Sequence, residues 1–160
     1  MDKRILYIIT LFLLTLFLIS TTLSWYDYQK EELSGLSESL KALPENQRVL
    51  GLDFIKDSRY LKGRPFLQLF AYTQVLKGAD INFSFARHAS GIIQFKKPRA
   101  IPWTPGLEWF AERVKKQDFL YFDYVLINGN EDIHLLSISM DYLEPVTLQG
   151  RWRLYKVIQK

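Results

Sequence analysis

The residues of this chain whose types could do chemistry together lie in the polar stretch KDSRYLKGRP and just before it. Asp53 ends an apolar run, and four cations soon follow it: Lys56, Arg59, Lys62 and Arg64. Arginine presents a planar fork of donors that suits a phosphate or a carboxylate. Because ligands of open α/β sheets bind beyond the carboxyl ends of strands, the sequence predicts an anion-binding site made by Asp53, Lys56, Arg59 and Arg64. The alternative is a solvated loop whose charges serve solubility.

The sequence lacks the signatures of the common catalytic sites. It has no cysteine, no G-x-S-x-G elbow, no H-E-x-x-H and no phosphate-binding G-x-x-x-x-G-K-[ST]. The two histidines, His88 and His134, stand apart, whereas a metal site needs several clustered donors. The run NGNED lacks the glycine and glutamate that complete a calcium loop, so we interpret it as a turn. We therefore predict no metal and no cofactor, and we assign no catalytic residue.

An uncharged apolar segment opens the chain. The run from Ile5 to Trp25 has 21 residues without a charge. As a helix it reaches roughly 31 Å, which is enough to cross a hydrocarbon core of about 30 Å. Trp25, Tyr26 and Tyr28 stand where an interfacial aromatic belt belongs, and no A-x-A-like cleavage site is present. We interpret residues 1–26 as a retained transmembrane anchor, and a cleaved signal peptide is the alternative.

The charges on either side of this segment predict its orientation. Lys3 and Arg4 precede the span, whereas Asp27 and Glu31 follow it. By the positive-inside rule, the N-terminus lies inside and residues 27–160 lie outside. We expect a single-pass protein of a bacterial inner (cytoplasmic) membrane with a periplasmic or extracellular domain. A net charge of +4 is modest, so we expect no nucleic acid as a partner.

Charge is segregated along the rest of the chain. Residues 87–99 and 151–160 carry only basic charges, whereas residues 119–145 carry only acidic ones. One interpretation is that these blocks pair with each other across the fold. The other is a basic surface that faces anionic lipid head groups or a phosphate-bearing ligand.

The elements that must position the candidate residues alternate between strands and helices. The patterns predict strands at 48–54, 91–97 and 119–127 and within VTLQGRWRLYKVI after Pro145. They predict helices at 66–77 with Gly78 as cap, at 105–114 behind an N-cap at Thr104, and within 133–143. We therefore expect an N-terminal transmembrane helix followed by one small three-layer-like α/β domain with a mixed, mostly parallel sheet. The expected divisions are an anchor at 1–26, a connecting helix at 27–46 and the domain at 47–160.

Six segments in order resemble a known kind of domain. They are LPENQRVLGLDF, SRYLKGRPFLQLFAYTQVLKGADINFSFA, IIQFK, PGLEWF, FDYVLI and LEPVTLQGRWRLYKV. The series resembles the C-terminal extracytoplasmic domain of polytopic bacterial membrane proteins similar to C-type, lipid-linked-sugar-dependent glycosyltransferases. The apolar segment is similar to the last transmembrane helix of such proteins, and Gly150, Trp152, Leu154 and Tyr155 match their closing G.W.LY strand. The multi-span region with the acidic catalytic residue has no counterpart here, so no residue is carried over as catalytic.

The resemblance implies a membrane-anchored, non-catalytic extracytoplasmic domain. Such a domain would act with a polytopic glycosyltransferase-like partner in envelope glycan or glycolipid assembly, near a lipid-linked sugar phosphate. The alternative is an independent single-span binding or sensing module on the outer face for a small anionic ligand. Whether the chain is a complete protein or a fragment of a larger one stays open at this point.

Overall fold

The N-terminal apolar segment is one long helix that enters the domain without a linker. In the computed structural model, which describes residues 3–83 and 101–158, helix α1 covers Lys3–Asp27. A π-helical turn at Tyr28–Glu32 continues it, and helix α2 follows at Leu36–Ala42. Together α1 and the π turn make an apolar helix of 30 residues, long enough to cross a membrane.

Five strands of the described chain form one mixed sheet. They are β1 (Arg48–Asp53), β2 (Asp80–Ile81), β3 (Tyr124–Asn128), β4 (Leu143–Pro145) and β5 (Trp152–Val157). Their order is β2-β1-β3-β5-β4, in which β1 is parallel to β2 and β3, while β5 is antiparallel to β3 and β4. The predicted fold class, an apolar N-terminal helix followed by a small α/β domain with a mixed sheet, is confirmed.

Short helices and turns cover both faces of this sheet. The helices are α3 (Tyr72–Lys77), α4 (Lys116–Phe119) and α5 (Glu131–Ile138), with 3-10 turns at Leu69–Ala71 and Ala111–Arg113. Because side chains alternate along a strand, Val49 packs on one face with Tyr28 and Phe70. Its neighbour Leu50 packs on the other face with Trp103. The end of the long helix therefore belongs to the first of two buried layers.

The predicted helix at 66–77 is shorter than its pattern indicated. Only Tyr72–Lys77 is α-helical, because Gln68 has a left-handed backbone with φ 68°, which an α-helix does not contain. Gly78 ends the helix in the predicted left-handed cap, with φ 64°.

The helix predicted at 105–114 is wrong. Gly106 has φ 82° and Phe110 has φ −133°, so the segment forms turns and the 3-10 turn at Ala111–Arg113. Thr104 does not cap a helix, because its backbone N–H and its hydroxyl both donate to Asp118 Oδ1, at 2.8 and 3.2 Å. The apolar spacing still marked burial, since Leu107 is fully buried.

The remaining elements differ from the predictions at their ends. The strand expected at 119–127 starts only at Tyr124, because α4 and a turn occupy its first positions. The helix expected within 133–143 begins earlier, where Asn130 Oδ1 accepts from the Ile133 backbone N–H at 3.0 Å. It ends at Ile138 and leaves room for β4, which was not predicted. The strand expected at 91–97 and His88 lie outside the described residues.

Gly51 lies inside β1 with no room for a side chain. A Cβ there would lie 2.2 Å from Cγ of the fully buried Phe70. We expect Gly51→Ala to lower the free energy of unfolding by about 1–3 kcal/mol, because the added methyl group overpacks the core. Denaturant titration of the full-length protein in detergent measures the change. In a Phe70→Ala background the same substitution should cost less, because the ring is gone and of these atoms only the Cβ of residue 70, at 2.7 Å, stays close. An equal cost in both backgrounds would contradict the packing explanation.

Candidate functional site

A cleft opens where the carboxyl ends of β1 and β3 meet the start of β5. Its volume is about 460 Å³, and it is lined by the π turn, the loop after β1, the start of α5 and the start of β5. In the order β2-β1-β3, the strand that follows β1 in the chain lies on one side of β1, and the next strand, β3, lies on its other side. The cleft therefore lies at the switch point where open α/β sheets hold their ligands.

Glu32 joins the end of the long helix to the walls of this cleft. Its carboxylate, in a residue only 3% exposed, accepts from the Ser58 hydroxyl and from the Arg59 backbone N–H at 2.8 Å. The Arg151 guanidinium lies 3.6 Å from the same carboxylate. The Glu32 carbonyl accepts from Trp152 Nε1 at 3.1 Å. Because a buried carboxylate needs such partners, Glu32 holds the β1 loop and β5 against the helix.

Arg151 lies across the floor of the cleft in a fixed position. Its Nε donates to Asn128 Oδ1 at 2.8 Å, and its guanidinium stacks 4.3 Å from the centre of the Phe66 ring. Burial lowers the pKa of Arg151, while the nearby carboxylates of Glu32 and Asp53 oppose that shift. The donors of this guanidinium are therefore held in place before any ligand arrives.

Arg153 and Glu131 form a second fixed pair in the wall of the cleft. The Arg153 guanidinium donates to both carboxylate oxygens of Glu131, with Nη1 3.2 Å from Oε1, and its Nε donates to the Gly150 carbonyl at 3.0 Å. The hydrogen bonds from Arg153 lower the pKa of Glu131. This one contact joins the acidic block 119–145 to the basic block 151–160, as the pairing interpretation expects, whereas the basic block 87–99 lies outside the described residues.

His134 is a buried structural residue of the cleft wall. Its Nε2 lies 3.0 Å from the Arg151 carbonyl, which can only accept, so Nε2 carries the proton. Nδ1 then accepts from the Tyr155 hydroxyl at 2.9 Å. Burial lowers the pKa of His134, in agreement with a neutral ring. Both ring nitrogens are used, which leaves neither for a metal.

The structure separates the four residues that the sequence predicted as an anion site. Arg59 lines the cleft and is exposed, and within the described part of the chain its side chain makes no hydrogen bond or ion pair. Lys56 turns to Glu112, 3.8 Å away. Arg64 turns to Asp57, with 3.9 Å between Nε and Oδ1. Of the three predicted cations, Arg59 alone faces the cleft.

Asp53 lies at the end of β1 beside the cleft floor, buried to 3% exposure. Its Oδ1 accepts from Asn128 Nδ2 at 2.7 Å, whereas Oδ2 has no hydrogen-bond partner among the described residues. Burial raises the pKa of Asp53 to about 6, against the opposing effects of Asn128 and Arg151. At neutral pH this carboxylate is ionised at a cost to folding.

The charges around the cleft nearly cancel. Its lining holds three arginines and four carboxylates, a net charge of −1 at neutral pH: Arg59, Arg151, Arg153, Glu31, Glu32, Asp57 and Glu131. A multiply charged anion gains little from such a surface, whereas a ligand that both donates and accepts hydrogen bonds finds partners of each kind. Within residues 3–83 and 101–158, no group of three or more His, Asp or Glu side chains is arranged to hold a metal ion.

Sequence reasoning missed most of this site. Glu32 stood out only as an acid beyond the apolar segment, and Arg151 only as part of a basic block. Local spacing carries no signal that joins residues so far apart in the chain.

Comparisons of the chain with protein-family models, with curated proteins and with solved structures find no significant match.

Asp53→Asn keeps the shape of the protonated acid and removes the charge. The pKa rises from an ordinary value of 3.8 to about 6 on folding, so the folded state binds the proton more tightly. The contribution of Asp53 to the free energy of unfolding of the wild type should therefore fall as the pH rises from about 4 to about 6. We expect the variant to be about 2–3 kcal/mol more stable than the wild type at pH 7 and no more stable in acid. Denaturant titrations across this pH range measure the difference.

Asp123→Asn is the control of opposite sign. The Arg48 guanidinium donates to Asp123 Oδ1 at 2.6 Å and to Oδ2 at 3.0 Å, and these hydrogen bonds lower the pKa of Asp123. That carboxylate stabilises the fold above its ordinary pKa, and the stabilisation is lost as the pH falls. Asp123→Asn should therefore be the less stable protein at pH 7. A difference for Asp53→Asn that does not change with pH would contradict its raised pKa.

Proposed function

We propose that the protein is a membrane-anchored, non-catalytic domain that binds a hydroxyl-rich, sugar-type group in its switch-point cleft. In this proposal it acts beside a polytopic glycosyltransferase-like partner in envelope glycan or glycolipid assembly. The observation that carries the proposal is a nearly neutral cleft in which hydrogen-bond donors and acceptors stand side by side.

A sugar fits this arrangement because each hydroxyl group is both a donor and an acceptor. Arg59 offers donors at the cleft, and the exposed carboxylates of Glu31 and Asp57 offer acceptors. Charge-assisted hydrogen bonds of this kind are the stronger ones. Because Arg151 and Arg153 are already held by neighbours, little side-chain entropy is lost when a ligand binds. The volume of about 460 Å³ is within the common range for small-molecule sites.

We propose binding rather than catalysis because two buried titratable groups that line the cleft, Glu32 and His134, are engaged with protein partners. His134 uses both of its nitrogens, and Glu32 accepts two hydrogen bonds and forms an ion pair with Arg151. General acid–base work needs a group that is free to reach a substrate proton.

The membrane and partner parts of the proposal have their own support. Helix α1 is long and apolar enough to span a membrane, and the charges beside it favour an N-terminus inside and a domain outside. We propose a single-pass arrangement in the bacterial cytoplasmic membrane, with the domain on the periplasmic or extracellular side. The ordered resemblance to the outer domains of polytopic glycosyltransferase-like proteins supports such a protein as the partner. It also supports a lipid-linked sugar phosphate as the substrate of that partner.

The partner is tested by affinity purification of the full-length protein from its native membranes in mild detergent, followed by mass spectrometry. We expect a multi-span, glycosyltransferase-like protein to be retained stoichiometrically. Recovery of well-folded protein alone would overturn the partner and leave the cleft as an independent binding module.

Arg59→Ala tests the cleft directly. With a neutral oligosaccharide at a hundredfold excess over its Kd, the wild type should gain about 2.7 kcal/mol in free energy of unfolding. Arg59→Ala should lose most of that gain, because it removes donors from the cleft. Arg64→Ala is the matched control from the same loop and should keep the gain, since its guanidinium faces Asp57 at a distance of 3.9 Å. Thermal and denaturant unfolding with and without the sugar measure these differences.

A second candidate function is an independent binding or sensing module for a small anion. The unpaired side chain of Arg59 favours it, because a guanidinium suits a phosphate or carboxylate. The same unfolding assay with inorganic phosphate separates the two functions. Stabilisation by phosphate and not by the neutral sugar would favour the anion module and would contradict the sugar site.

A further inference from the structure

A second concave surface begins at the end of the long helix. This apolar groove has a volume of about 1390 Å³ and runs from Trp25 past α2 to α3 and the loop before β5. Large apolar side chains stand exposed along it, including Tyr72, Leu76 and Leu148. Its volume exceeds the range of about 300–1,000 Å³ that is usual for small-molecule pockets. The groove therefore suits an extended apolar partner.

The groove starts at the height where a membrane surface would lie. The ring of Trp25, at the end of the apolar run, is 5.7 Å from the ring of Tyr28, which stacks 5.8 Å from that of Phe66 in the domain core. Tryptophan is enriched at the membrane–water interface. The head-group layer on each side of the hydrocarbon core is about 5–8 Å deep. Since no linker separates helix and domain, a membrane crossed by α1 would bring the end of the groove at Trp25 into or against that layer.

The charge of the groove is opposite to that of the cleft. Its rim carries Lys30, Lys41 and Lys77 against the single acid Glu38, a net charge of +2. Basic residues next to a membrane-spanning helix are attracted to anionic lipids. Lysine can also lay its apolar stem along a hydrophobic surface while its ammonium group reaches a phosphate.

We propose that this groove docks on the leaflet in which α1 ends and holds an anionic phospholipid. The lipid's glycerol and upper acyl region would contact the apolar floor, and its phosphate would meet the lysines of the rim. The proposal rests on α1 spanning a membrane, as in the proposed function, and it does not depend on what the cleft binds.

The chain has no cysteine, so one introduced cysteine can carry one spin label. Leu76→Cys places a label in the groove. Leu135→Cys is the matched control, because Leu76 and Leu135 are both 58% exposed, and Leu135 lies on α5, which packs on the opposite face of the sheet. The full-length protein is reconstituted in phosphatidylcholine vesicles with and without phosphatidylglycerol. Collision rates with oxygen and with a water-soluble nickel complex then report the depth of each label.

In vesicles with phosphatidylglycerol, we expect the label at 76 to be open to oxygen and shielded from nickel, and the label at 135 to be open to nickel. Omitting phosphatidylglycerol should weaken docking at 76. Each of Lys30→Gln, Lys41→Gln and Lys77→Gln should lower the ratio of docked to undocked protein about fivefold.

Equal access of nickel to both labels, in protein that floats with the vesicles, would overturn lipid docking and leave the sugar site standing. Dipolar broadening between labels at 76 would place a second copy in the groove and also overturn it. Protein that does not float with the vesicles would overturn both the docking and the anchoring in the proposed function.

Discussion

The buried carboxylate of Glu32 is the contact on which the rest of the molecule depends. It is the last residue of the long helix and its π turn, yet its hydrogen-bond partners belong to the loop after β1, and its ionic partner, Arg151, directly precedes β5. A carboxylate taken out of water is tolerated only when several donors replace the lost hydration. Those donors also shape the cleft. The apolar helix and the cleft are therefore parts of one structure.

Two glycines close the same junction from the backbone side. Gly35 and Gly150 both have left-handed backbones, with φ 80° and 88°, and a Cβ on Gly150 would lie 2.5 Å from the Gly35 nitrogen. Only residues without side chains let these two chain segments touch. The approach allows the Trp152 backbone N–H to donate to the Ser34 carbonyl at 2.9 Å. The chain that leaves the helix is thereby fixed to the last strand.

The parts of the fold that local sequence patterns of burial define were predictable, whereas the site was not. A short apolar run marked β1, alternating apolar and polar residues marked β5, and Gly78 marked the end of α3. The spacing that placed Leu107 in a helix was met only in part, because the turns bury Leu107 and Ala111 and leave Phe110 41% exposed. The loop after Asp53 does border the cleft, but which of its cations face inward depends on tertiary neighbours. Arg151 lies beside Glu32 only because the folded sheet brings the two residues together, and no short stretch of the sequence contains both.

The chain runs as one helix from α1 through the π turn into the core, and this helix supports the domain rigidly. Successive residues of an α-helix are rotated by about 100° around its axis. One residue inserted between Trp25 and Tyr28 would therefore rotate the whole domain by about 100° around the helix axis relative to the apolar segment. This helix therefore sets both the distance of the domain from the apolar segment and the rotation of the domain about the helix axis. If the helix tilted in a thinner membrane, the domain would tilt with it, and the opening of the cleft would point in a different direction.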